Sequence, residues 1–150
     1  LDGAVYVFTR SGVTWSQQVY LEASNANVSV WASNFGDSVA LSADGNTLVA
    51  GAPFDNSAAT GVGGDETNQS APSSGAVFEL IREGATWTQR AYVKASNTEG
   101  GDELGHAVAL SDDGLTLAAS AINESSRAGG INGDQTDNSR PKSGAVYLYY

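Results

Sequence analysis

Neither cysteine nor methionine occurs in the 150 residues, and proline appears only three times. Without cysteine, disulfide staples and thiolate metal sites are excluded; their absence also fits a secreted bacterial protein that does without staples. Basic side chains are scarce, 7 against 17 acidic ones, for a formal charge of -10. Such a field repels nucleic acid and anionic membranes, whose binding needs clustered lysine and arginine. It suits divalent cations, basic partners, or simply solubility. No apolar run approaches the roughly 20 residues of a membrane span, so no membrane insertion is expected. The chain opens on Leu1-Asp2-Gly3 with no signal peptide, and any targeting segment is expected to lie outside it. Abundant Gly, Ser, Asn, Thr and Asp is the composition of short strands joined by tight turns.

What is present is a repeat. Asp2-Gly3-Ala4-Val5-Tyr6 returns as Ser74-Gly75-Ala76-Val77-Phe78 and as Ser143-Gly144-Ala145-Val146-Tyr147, at glycine spacings of 72 and 69. Trp15 recurs as Trp87 and Gly36 as Gly105. The longer first copy therefore carries its extra residues at 25–34, and from Gly36 onward the copies run without a gap. The expected units are 1–73, 74–142, and 143–150 as the first strand of a third copy.

Each copy carries about four strand signals. Ala4 to Thr9 alternates, with Ala4, Tyr6 and Phe8 on one face and Val5 and Val7 on the other. Thr14 to Ala23 follows the Ser11-Gly12 turn. Ser38–Leu41 and Thr47–Ala50 flank Asp44-Gly45, a hairpin signal because glycine readily takes positive φ; Asp113-Gly114 repeats it. Four antiparallel strands per copy, with small residues at Val49-Ala50-Gly51-Ala52, fit a propeller blade tapering toward an axis.

Phe35-Gly36-Asp37-Ser38-Val39-Ala40 followed by Gly51-Ala52-Pro53 resembles the FG-GAP repeat, which builds the integrin α-subunit propeller and many bacterial surface and secreted proteins. The second copy departs from both signatures, with Leu104-Gly105 and Ser120-Ala121-Ile122. The resemblance implies an all-β fold, two four-stranded antiparallel blades of a larger β-propeller. Two blades cannot close a ring of roughly 4–8, so the chain is expected to be an excerpt, with neighbouring blades as partners.

Integrin-type repeats place an Asp-rich calcium loop between the two signatures. Here that stretch is only Ser42-Ala43-Asp44-Gly45-Asn46, or Asp112-Asp113-Gly114-Leu115, too poor in oxygen donors to wrap an ion. The family's calcium site is not carried over. The long loop before each Ser-Gly-Ala-Val strand is a better candidate. Residues 61–70 align with 130–139 without insertion, and Pro72 and Pro141 follow in register, which points to an ordered loop. Two causes can order it. Asp65 and Asn68, like Asp134 and Asp137, can ligate Ca²⁺ together with backbone carbonyls. Alternatively, Asx and Ser/Thr side chains bond the backbone, with Val62 and Ile131 tucked beneath.

His106, the single histidine, stands where the first copy has Asp37, which argues for an exposed position. The adjacent carboxylates Asp65-Glu66 and Asp112-Asp113 sit in turns, not in a convergent catalytic pair, so no enzyme is expected. The recurrence of Trp15 and Trp87 favours packing between blades. Trp31, in the insertion, is a candidate for stacking on a sugar or anchoring a protein, against the plainer reading that it covers a gap beside Val28 and Val30. Three glycosylation sequons, at Asn27, Asn68 and Asn123, are matches that arise readily in an Asn- and Ser-rich chain. The expected function is a non-catalytic extracellular or cell-surface interaction module, with a protein or glycan ligand. A lectin-like propeller and a non-catalytic part of a larger secreted enzyme are the alternatives.

Overall fold

The computed structural model describes residues 3–28 and 32–150. Trp31, the candidate sugar or protein anchor, lies outside the described residues. Among the described residues nine strands follow one another: β1 Val5–Ser11, β2 Thr14–Leu21, β3 Ser38–Leu41, β4 Thr47–Ala52, β5 Ala76–Glu83, β6 Thr86–Val93, β7 Leu104–Leu110, β8 Leu117–Ala121 and β9 Ala145–Tyr149. Among the described residues there is no helix. Every strand pair is antiparallel.

The strands form three sheets, ordered β1-β2, β3-β4-β5-β6 and β7-β8-β9. Two four-stranded sheets were expected; the described residues give one, with a two-stranded and a three-stranded sheet on either side of it. Sheet and sequence copy are out of phase by two strands. The reason lies in the connections. The β4–β5 loop leaves and re-enters one sheet, whereas the connections after β2 and β6 cross to the next. Repeat periodicity is the same wherever the crossing falls, so it does not mark the sheet boundary.

Alternation decides which residues face which neighbour. Val5 and Leu21, with Val7 and Val19, pack on one face of the four-stranded sheet, against Leu48, Ala50, Phe78, Leu80 and Tyr92. Val49, Val77 and Val93 on its opposite face meet Leu104, Leu117, Ala119 and Ala121 of the third sheet. Phe78 sits edge-on to both Phe35 and Tyr92, with ring centroids 5.3 and 5.1 Å apart. Full burial of one such ring contributes about 1.5–3 kcal/mol. Both long outer hairpins carry a register shift at equivalent places, Val7/Phe8 and Glu79/Leu80.

Two glycines set how closely the sheets approach. A Cβ on Gly51 would lie 1.9 Å from the Gly105 carbonyl oxygen, so only glycine lets β4 come that near β7. Gly75, at φ +79°, bridges Leu104, and a Cβ there would lie 2.2 Å from the Leu104 nitrogen.

The topology also sorts the connections. The turns β1–β2, β3–β4, β5–β6 and β7–β8 share one end of the sheets, and the long connections share the other. At the turn end, the Ala43 amide donates to the Asp112 carbonyl and ties neighbouring hairpins.

Candidate functional site

At the long-connection end, loops 53–75 and 122–144 are held by the same hydrogen bonds. The Asp65 Oδ1 accepts from the Thr67 amide at 2.9 Å and hydroxyl at 2.6 Å; Asp134 does the same with Thr136 at 2.9 and 2.7 Å. Both are Asx turns reinforced by a threonine hydroxyl. The hydroxyl and amide hold each aspartate below the usual carboxylate range, the hydroxyl contributing most. Ser57 Oγ donates to the Asp65 carbonyl, and Ser126 Oγ to that of Asp134. Asn68 Oδ1 accepts from Ser70, and Asp137 Oδ1 from the Ser139 amide. The Ala58 amide donates to the Asn68 carbonyl and the Arg127 amide to that of Asp137, closing both loops.

Thus each of Asp65, Asn68, Asp134 and Asp137 has a side-chain oxygen engaged in its own turn. Of the two causes open in the sequence, hydrogen bonding has its bonds in place. One detail of it is corrected: Val62 and Ile131 are not tucked beneath the loops but exposed, at 61% and 93%. In loop 53–75 the buried side chains include Asn56, Ser57 and Ser74 as well as Pro53 and Ala71, while Val62 faces outward. In the short hairpin where the family places calcium, Asp44 Oδ1 accepts from Ser42 Oγ and the Asn46 amide, and Oδ2 from Asn46 Nδ2. That carboxylate closes a turn and does not fit an ion cage. His106 is exposed. Trp87 packs against the first interface and donates from Nε1 to Gln18 at 3.1 Å, while Trp15 is exposed.

Beneath the loops lies a buried polar cluster that sequence reasoning missed. Asp55 Oδ1 accepts from Tyr92 Oη at 2.6 Å and from the Ser57 amide at 2.9 Å; Oδ2 accepts from Asn25 Nδ2 at 2.8 Å. Lys94, buried with it, reaches Asp55 at 3.4 Å and Ser74 Oγ at 2.7 Å. Burial pushes the Lys94 ammonium down to about 8, against the opposing pull of Asp55. In the second copy Glu124 replaces Asp55. It accepts from Asn97 Nδ2 at 3.0 Å, the Ser126 amide at 2.8 Å and Tyr147 Oη at 3.4 Å. Asp102, also buried, accepts from the Glu99 amide at 2.9 Å. Burial, with Glu124 and Glu99 adding repulsion, pushes its carboxyl up to about 6. The available signal was recurrence: Asn25 and Asn97, and Asp55 and Glu124, occupy equivalent positions of the two copies.

Within the described residues, no helix is long and apolar enough to cross a membrane. No curated protein matches the chain. Residues 87–149, from β6 through β9 and loop 122–144, match the FG-GAP repeat. With its antiparallel sheets packed face to face, this all-β chain carries an FG-GAP repeat over residues 87–149, and such repeats are propeller blades.

Proposed function

We propose that the chain is a non-catalytic interaction module of an extracellular or cell-surface protein, and that the long-loop end of its sheets is the contact surface. The observation that carries this reading is the pair of loops itself. Two loops on neighbouring sheets hold the same shape through side-chain hydrogen bonds, and they present fixed Asp, Thr and Asn groups to solvent. A loop ordered before its ligand arrives loses less entropy on binding. Acidic residues such as Asp65, Asp134 and Asp137 give the surface a charge that favours basic or hydroxyl-rich ligands.

The test is a protein and glycan array probed with the chain and with the double variant Asp65→Ala/Asp134→Ala. Binding to a defined set of spots that the double variant loses supports the proposal. Equal binding by both proteins, or turnover of a bound substrate, overturns it.

A further inference from the structure

We propose that Asn132 is a site of self-modification, at which its side-chain amide is exchanged for a carboxylate through a succinimide formed with Gly133. The Gly133 backbone nitrogen gives up its proton to water and attacks the Asn132 side-chain carbonyl carbon. That new C–N bond closes a five-membered ring, the bond to the side-chain nitrogen breaks, and ammonia leaves. Water then opens the ring at either carbonyl, giving aspartate or isoaspartate. Water is the one co-reactant, and nothing is oxidised or reduced.

Asn132-Gly133 is the one Asn-Gly pair in the sequence, and the loop constrains both members. Gly133 is fixed by packing: a Cβ there would lie 2.5 Å from the Ala128 Cβ, as one on Gly64 would lie 2.6 Å from that of Ala59. Asn132 holds a left-handed backbone, φ +54°, which asparagine enters more readily than most residues. It is exposed, and among the described residues neither its side chain nor the Gly133 amide makes a hydrogen bond. The first copy shows that this openness belongs to the loop itself. There the Gly63 amide is bonded to Tyr92 of β6, yet a Cβ on Gly63 would meet no heavy atom within 4 Å. The Gly64 amide is unbonded among the described residues as well. A side chain at this place therefore points into solvent, and the amide after it is free, even with a strand alongside.

The competing pairs are held shut. In the two Asn-Ser pairs the Ser57 and Ser139 amides donate to Asp55 and Asp137 at 2.9 and 3.0 Å, and Asn138 Nδ2 is bonded to Glu99 at 2.6 Å. In the Asp-Gly hairpins the Gly45 and Gly114 amides donate to the Ser42 and Ser111 carbonyls. Asp44 and Asp113 are also held below the usual carboxylate range, mainly by those serine hydroxyls, and an ionised carboxylate has no ready leaving group. Conversion adds a negative charge to a chain already at -10, two residues from Asp134 and in one loop only, because the first copy has Gly63. Its effect on binding rests on the contact-surface reading above; the conversion itself does not, so the array experiment can fail without affecting this one.

The test incubates the whole chain at mildly alkaline pH, in native buffer and in guanidinium, and follows each asparagine by peptide mapping and mass spectrometry. The peptide containing Asn132 should gain the mass of an NH2-to-OH exchange before any other, and should split into aspartate and isoaspartate forms. Folding should leave the Asn132 rate within about threefold of its denatured value while slowing Asn138 by about tenfold or more, the scale of a hydrogen bond that must first break. Asn132→Gly, which restores the residue of the first copy, should abolish the change. Another asparagine converting first in native buffer, conversion of Asn132 only in guanidinium, aspartate without isoaspartate, or the same mass gain in Asn132→Gly overturns the proposal.

Discussion

Loops 53–75 and 122–144 have the same length, the same Asx turns and the same serine bonds, yet one closes on a strand and the other on an open cleft. Around the first, Gly61 and Gly63 bond β6, and Val77 beneath is buried. Around the second, the equivalent Val146 is 67% exposed. The difference teaches that the loop conformation is its own. Side chains within each loop set it, through the same Asx turns and serine bonds.

The sharpest way to break the comparison is at the buried acids. Asp55→Ala strands Lys94 without a partner in the interior, and removing one member of a buried pair costs about 3–5 kcal/mol. Glu124→Ala leaves no buried cation behind and should cost only about 1–3 kcal/mol, the scale of unsatisfied polar groups. Urea unfolding of the two variants gives the ranking; equal losses would show that Lys94 does not depend on Asp55.

A second contrast separates β4 from β8. Gly51 touches the Gly105 backbone, whereas its counterpart Ser120 has room and accepts the Ala107 amide on its hydroxyl at 3.0 Å. Gly51→Ser should push the second and third sheets apart and cost about 1–3 kcal/mol, as overpacking does. Ser120→Gly should cost about 1 kcal/mol. Thermal melts of both decide whether the close approach is confined to one interface.

Much of this was legible in the sequence. The triple Gly-Ala-Val strand, the Asp-Gly hairpins and the alternation at Val5–Phe8 gave strands, turns and core faces. The matched loops were legible from their length, and Asp-x-Thr at 65–67 and 134–136 is a turn pattern readable without coordinates. The sheet boundary was not legible, because crossing and returning connections share one periodicity. Nor was the Lys94–Asp55 pair. Lys94 stands where the first copy has Glu22, and its burial comes from β6 being enclosed by β5 and loop 53–75. Val62 and Ile131 were misplaced because side-chain hydrogen bonds close the turns of the loops without an apolar residue beneath them.

Acidity distinguishes the two crossing connections. Asp102 stands where the first copy has Ser33; both are buried, and their carbonyls accept from Asn123 and Phe54 in turn. With its carboxyl raised to about 6 in the folded chain, Asp102 favours folding in its protonated form. That contribution is complete below the unfolded value near 4 and is lost as pH rises through about 6. Stability should therefore gain on the order of 1 kcal/mol from this group between pH 7.5 and pH 5. Asp102→Asn should remove that gain, while Ser33→Ala should leave it. A pH profile unaffected by Asp102→Asn would place the titration elsewhere.

The smallest expected effects are those of Asp65→Ala and Asp134→Ala, which lose only solvent-exposed turn bonds. They should appear as faster proteolysis confined to the altered loop. Equal sensitivity of both loops in either single variant would mean that the loops are coupled.

Residue-resolved amide exchange, with and without a calcium chelator, tests the central claim most directly. The account predicts matched protection at Thr67 and Thr136 and at Ala58 and Arg127, unchanged by chelator. It also predicts that Gly63 is protected by its bond to β6 while Asn132 exchanges as an open amide. Shared amides that differ by more than about tenfold between the loops, or protection that collapses when calcium is removed, would contradict it.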